Sequence, residues 1–246
     1  MTIVHAESGT NVHEIAAGVY RISVPVPPSE MPGGFTFNQF LLVDDEPLLF
    51  HTGPRRVFPL VKLAVEQVLG DVKKLHYIGF SHVEADECGS LNEWLEIAPR
   101  AEPLCSDVAA MVSVGDFAIR PPHGLADGDE LSLGNKRVRW LHTPHLPHNW
   151  ECGYLFEAAT KTLLCGDLFT QGGNDVPALT ESDLIGPSIG FNDHIPAGAI
   201  AVEKHTRRLL EKLAATEPTT LALMHGSSFR GNGALLLRGL ADALGA

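Results

Sequence analysis

Apolar and polar positions alternate along the first third of the chain in short runs cut by Pro, Gly and Asp. VYRISVPV (19–26), FNQFLLV (37–43) and EPLLFHT (46–52) read as strands. Over Val57–Leu69 the period changes: Val57, Leu60, Val61, Ala64, Val65 and Val68 recur at helical spacing. Gly70 then fits the left-handed position that closes many helices. LHYIGF (75–80) is a continuous apolar run, as a strand buried on both faces would be. A helix near Ser90–Ile97, a strand near Glu102–Cys105 and a helix near Asp107–Val114 follow.

The second half repeats the style. The pattern predicts a strand pair at 130–134 and 136–143, a hairpin at 152–158 and 160–167, a helix near Ala199–Ala215, a strand at 219–225 and a helix near Gly233–Leu244. The Gly- and Pro-rich stretch from Leu168 to Ala199 is too long for an ordinary connection and reads as a lid or a site-lining loop. Strands mixed with helices in both halves predict two central sheets with helices outside. No linker stands out, so residues 1–246 read as one domain.

Composition narrows the function classes. A net charge of −12 argues against a nucleic-acid surface and against docking on an anionic membrane. No apolar run approaches membrane-spanning length, and the N-terminus lacks signal-peptide character, so the expected compartment is the cytoplasm. The four cysteines show no zinc-finger or CxxC spacing and read as buried, reduced thiols.

Chemistry concentrates at strand ends. SHVEADE (81–87) puts one histidine and three carboxylates just past a buried strand. Crowded like charges need a cation among them. The competing reading is that Asp86 and Glu87 merely answer the dipole of the helix they begin. In an extended segment His82, Glu84 and Asp86 would project to one side. Three further pieces sit at predicted strand ends: LHTPHLPHNW with His142, His145 and His148, LLCGD with Asp167, and LALMHG with His225.

This order of HxExD, turn histidine, strand-end GD and strand-end HG resembles the metal-ligand series of the metallo-β-lactamase superfamily, over nearly the whole chain. The resemblance implies a four-layer αββα sandwich with a two-metal site at the edge between the sheets. Glu84, where most zinc hydrolases of the superfamily carry His, resembles the flavodiiron branch and the single-domain oxygen-binding di-iron proteins related to it. By that resemblance His82, Glu84 and His145 would hold one metal, Asp86 and His225 the other, and Asp167 would bridge. Oxygen-rich ligation favours iron, with manganese and zinc as alternatives.

Two departures stand out. Glu87 occupies a position that is usually His, and could either ligate the second metal or turn away. His51 replaces a usual Asp and could either support the ligands from behind or reach a metal itself. His148 and His194 are candidates for supporting the ligands or for the pocket wall, and Cys88 reads as a small buried side chain. The expected activity is binding or reduction of O2 or NO with electrons from an external donor, in a chain that could form a homodimer. The alternatives are a two-metal hydrolase of esters, thioesters or amides, and a degenerate member with a vacant site.

Overall fold

The computed structural model describes residues 1–195 and 198–246. Two sheets face each other. The first has eight strands in sequence order: β1 (Thr2–His5), β2 (Thr10–Ala16), β3 (Val19–Val26), β4 (Phe35–Leu42), β5 (Leu48–Phe50), β6 (Tyr77–Gly79), β7 (Glu102–Ser106) and β8 (His123–Leu125). It is antiparallel up to β5 and parallel from β5 to β8. The second comprises β9 (Glu130–Ser132), β10 (Arg137–His142), β11 (Gly153–Glu157), β12 (Thr162–Leu164), β13 (Leu179–Thr180), β14 (Thr220–Ala222) and β15 (Ser228–Arg230), in the order β13-β15-β14-β12-β11-β10-β9.

Three apolar layers make this four-layer αββα sandwich. Helices α1 (Phe58–Leu69) and α3 (Leu91–Ile97), with the short α2 (Ala85–Cys88) between them in sequence, lie on the outer side of the first sheet. There Val61, Val65, Leu91 and Trp94 pack against Ile22, Leu41 and Ile78. Between the sheets, Phe40, Leu42 and Phe50 meet Trp140, Leu155 and Leu164. Outside the second sheet, α5 (Thr206–Ala214) and α6 (Gly233–Ala243) bury Leu210, Leu213, Leu237 and Leu240 against Leu163 and Leu221. A sheet covered on both faces explains why all eight residues of β4 are buried and why LHYIGF showed no alternation.

The sequence pattern located most of these elements. Gly70 takes φ 74° at the end of α1, as expected of a terminal glycine. Three expectations change. The N-terminal strands β1 and β2, with polar sequences TIVH and TNVHEIA, add two edge strands to the first sheet. The stretch 168–199 contains β13 and helix α4 (Ile185–His194), whose first two amides are held by the Asp183 carboxylate at 2.9 Å each. Residues 196 and 197 of that stretch lie outside the described residues. The helix expected from Ala199 begins only at Thr206, because the Ala199 carbonyl and the Ala201 amide bond to the His148 turn, while the amides of Ala199 and Ile200 donate to Asn192 Oδ1.

Candidate metal centre

All the chemistry-bearing residues leave their strands on one edge, beyond the ends of β5, β6, β10, β12 and β14, where sheets of this kind place their sites. The HVEAD segment is extended only as far as Glu84, whose φ and ψ are −143° and 163°; α2 starts at Ala85. The expected single row of His82, Glu84 and Asp86 is therefore split. His82 and Glu84 join His148 and Asp167 in one group, while Asp86 and Glu87, now in a helical turn, join His225 in another.

Within the first group, Nε2 of His82 and Nε2 of His148 are 3.0 Å apart, and Glu84 Oε2 lies 3.1 Å from each. Asp167 Oδ2 is 3.7 Å from His82 Nε2 and 3.5 Å from His148 Nε2. The other oxygen of the same carboxylate, Oδ1, is 3.3 Å from His225 Nε2, which is 3.4 Å from Asp86 Oδ2. Asp167 thus presents one oxygen to each group. Gly166 makes this reach feasible: it holds φ 46°, and a Cβ there would come within 3.0 Å of Ser81 Oγ and 2.9 Å of the Tyr154 ring.

Each of the three histidines is anchored through Nδ1 and aims Nε2 inward. His225 Nδ1 donates to the Thr36 carbonyl at 2.8 Å, and its ring stacks on Phe35 at 4.3 Å. His148 Nδ1 donates to the Ala199 carbonyl at 3.1 Å. His82 Nδ1 is 2.9 Å from Ser81 Oγ, which is 3.0 Å from His51 Nε2. Such anchoring fixes the tautomer and orientation that a metal-binding imidazole requires.

His145, expected beside His82, lies outside both groups. It is exposed, with φ 63°, and its amide donates to the Asn149 carbonyl in a tight turn. That turn buries Leu146, whose carbonyl accepts from the buried Tyr154 hydroxyl at 3.0 Å, and delivers His148 inward. His148, expected behind the ligands or in the pocket wall, is the histidine that faces His82 and Glu84. His51 lies outside both groups, with its Nε2 3.0 Å from the Ser81 hydroxyl that contacts His82. His194 ends α4, exposed and bonded to the Gly190 carbonyl, away from both groups. The stretch 168–199 nevertheless lines the site: Phe191 stacks on Phe35 at 5.7 Å, extending an apolar wall of Phe35, Phe37 and Met224 beside His225.

Sequence reasoning missed Glu151. It is buried, and its Oε1 accepts from the Val83 amide at 3.0 Å, holding the backbone between His82 and Glu84. An acidic residue just before the β11 run was the available signal.

The electrostatics are those of a cation-binding site. Glu87 is fully buried, and neither of its oxygens has a hydrogen-bond partner. A carboxylate that merely answered the helix dipole would be solvated or bonded. Burial, then the charge of Asp167, push its pKa well above the ordinary carboxylate value. Burial alone would lower His225, but hydrogen bonds and charge from Asp167 and Asp86 outweigh it and raise the imidazole to about 10. Hydrogen bonds from His148 and His82 hold Glu84 down at about 2. Burial drives His51 down to about 3, so it stays neutral. Cys88 is pushed up to about 11 by burial, which leaves an inert thiol, and all four cysteines are buried and free. Three imidazoles and four carboxylates converge, with both oxygens of Glu87 left without a hydrogen bond. Seven such donors fit two hard-to-borderline divalent ions, whose charge they would balance. A cavity of about 860 Å³ lies under the N-terminal hairpin and holds none of these residues, whereas one of about 470 Å³ reaches Glu84.

The four layers and the ligand edge define a metallo-β-lactamase fold. The chain belongs to the family described as ODP family beta lactamase, whose profile matches residues 35–226, and so to the flavodiiron branch of that superfamily. A rubredoxin-oxygen oxidoreductase of Megalodesulfovibrio gigas is 27% identical over 222 residues, covering 81% of this chain and 50% of that protein. A nitric oxide reductase of Moorella thermoacetica is 28% identical over 175 residues, covering 69% and 40%. A metal-soaked flavodiiron core from Synechocystis superposes with TM-score 0.81 at 22% identity, over 96% of this chain and 61% of that one. The flavodiiron protein of Giardia intestinalis does so with TM-score 0.78 at 16% identity, over 94% and 58%. The chain spans half or less of the length of these two curated relatives. No helix among the described residues is long and apolar enough to cross a membrane.

Proposed function

We propose that the chain is a non-haem di-iron protein that binds or reduces O2 or NO with electrons from an external donor. His82, Glu84 and His148 would hold one iron; Asp86, Glu87 and His225 the other; Asp167 would join them. The observation that carries this reading is the anchoring of three histidines through Nδ1, with every Nε2 turned toward a carboxylate. When bound, a pair of ferrous ions supplies one electron each to a diatomic ligand. The chain's own residues hold and orient: Thr36 and Phe35 set the His225 ring, Ala199 sets His148, and the Ser81 hydroxyl links His82 to His51. Phe35, Phe37 and Phe191 wall the His225 side with apolar surface, which admits a small uncharged ligand and disfavours water. The curated relatives' names, one an oxygen oxidoreductase and one a nitric oxide reductase, support the same substrate class.

The test is metal content of protein produced with iron in excess, followed by addition of O2 or NO to the reduced protein. About two irons per chain and consumption of either gas support the proposal. Zinc retained in spite of supplied iron would replace it with the hydrolase reading.

A further inference from the structure

Arg21 is a full-length cation sealed between the sheets. It lies on β3 opposite His13 on β2 and Phe40 on β4, and is 1% exposed. Among the described residues no carboxylate pairs with it, and its Nε has no partner. Its Nη2 donates one hydrogen bond, at 3.0 Å, to the carbonyl of Gly226. A buried charge costs more than one such bond returns, so an apolar side chain would serve packing better.

Gly226 directly follows His225. Its carbonyl also accepts from Asn38 Nδ2 at 2.9 Å, and its amide donates to Thr36 Oγ1 at 2.8 Å. Asn38 holds the Leu223 carbonyl as well, at 2.9 Å. The turn is tight: Gly226 has φ 89°, and a Cβ there would approach Gln171 to 2.7 Å. The His225 turn is therefore gripped on both sides of the imidazole, through Thr36 on the ring and through Arg21 and Asn38 on the next carbonyl.

We propose that Arg21 is a positioning residue for the His225 half of the centre, fixing the turn from behind so that Nε2 stays aimed at Asp86 and Asp167. This rests on the di-iron reading above. The neighbouring inter-sheet positions carry Asn11, His13, Ser23 and Asn38, a polar layer that needs no charge to fill it. What sets Arg21 apart from that layer is its reach to the carbonyl that follows His225.

The experiment follows iron release to a chelator from the full chain loaded with ferrous iron, for wild type, Arg21→Met, Arg21→Lys and the packing control Phe40→Leu. In Arg21→Met one of the two irons should leave about tenfold faster while the other keeps its wild-type rate. Arg21→Lys should restore most of the difference. The Mössbauer signal lost first should be the one missing from His225→Ala. Phe40→Leu should lower the melting temperature without separating the two rates. Should Arg21→Met not fold, Arg21→Gln, suited to the polar layer, gives the same readout. Wild-type release of both irons in Arg21→Met, both irons leaving faster together in it, or the same one-iron pattern in Phe40→Leu makes Arg21 a packing residue and overturns the proposal. A wild type that takes up fewer than two irons overturns the di-iron reading, and the assignment of Arg21 with it.

Discussion

His82 and His148 meet nitrogen to nitrogen, Nε2 to Nε2, at 3.0 Å. Two imidazoles so placed can share at most one proton between them. Their ring planes are nearly perpendicular, at 89°, and both nitrogens are also within 3.1 Å of Glu84 Oε2. Three donors directed at one small volume is the arrangement a cation resolves.

The pairing predicts an unequal outcome for two histidines three residues apart. His148→Ala should remove a ligand and lower iron content toward one per chain, with affinity at the affected position falling by at least ~10-fold. His145→Ala, exposed on the far side of the turn, should leave iron content unchanged. Metal analysis of the two variants decides; loss in His145→Ala alone would mean the turn is built the other way round.

Protonation gives the metal-free protein a distinct pH dependence. His225 is raised to about 10 from an ordinary 6.5, so its favourable charge interactions are complete below pH 6.5 and fade as pH rises toward 10. Glu87, raised above 4.5, keeps its proton in the folded state where the unfolded chain loses it, so rising pH costs stability there too. Glu84, Asp86 and Asp167 are lowered, and their contribution is lost only as pH falls through the acid range. Melting temperature in chelator should therefore decline from pH 6.5 toward 9. Metal-loaded protein should not follow it, because the ions displace those protons. Calorimetric titration in buffers of different ionisation heat should show proton release on binding. A flat profile in chelator would remove the basis for this assignment of charge.

Much of the fold was legible because burial on both faces and helical spacing leave strong traces: α1 with its terminal Gly70 and the strands β3, β10 and β11 follow directly from the pattern. The polar edge strands β1 and β2 leave weak ones. Helix α4 contains Gly186, Pro187 and Gly190, which mask its helical pattern, and only Asp183 marks its start. At the site, the residue types were readable and their grouping was not. Nothing in LHTPHLPHNW says which histidine turns inward; burial of Leu146 beneath Tyr154 settles it. Likewise the helix starting at Ala85 divides HVEAD between two groups, a matter of one backbone torsion at Glu84.

Ser81 links His51 to His82, with contacts of 3.0 and 2.9 Å. Ser81→Ala removes the anchor of the His82 ring and leaves the buried, neutral His51 without a partner on Nε2. Iron affinity should fall ~10–100-fold with the fold retained. Chelator competition on the variant measures this, and an unchanged affinity would show that ring packing alone orients His82.

Glu84 tests the choice of metal. Glu84→His converts an oxygen donor into a nitrogen donor beside His82 and His148, and a more imidazole-rich set favours zinc. Protein grown with equal iron and zinc should shift its content toward zinc. An unaltered iron-to-zinc ratio would mean that residue 84 does not select the metal.

Glu87 separates ligation from packing. Its carboxylate is sealed from water with no hydrogen-bond partner, a state that costs the metal-free protein stability unless the group is protonated. Glu87→Gln keeps the shape and removes the ionisable group. In chelator at pH 8 the variant should be more stable than wild type, because the unfolded wild-type chain gains an ionised carboxylate that the folded one resists, and the gap should close toward pH 5, where the unfolded chain also begins to hold that proton. With iron the order should reverse, because the amide is a weaker ligand than the carboxylate and the second ion is held less tightly. Paired denaturation curves with and without iron measure both signs. If Glu87→Gln is stabilised equally in both conditions, Glu87 is a buried acid outside the centre, and the second ion must be held by Asp86, His225 and Asp167 alone.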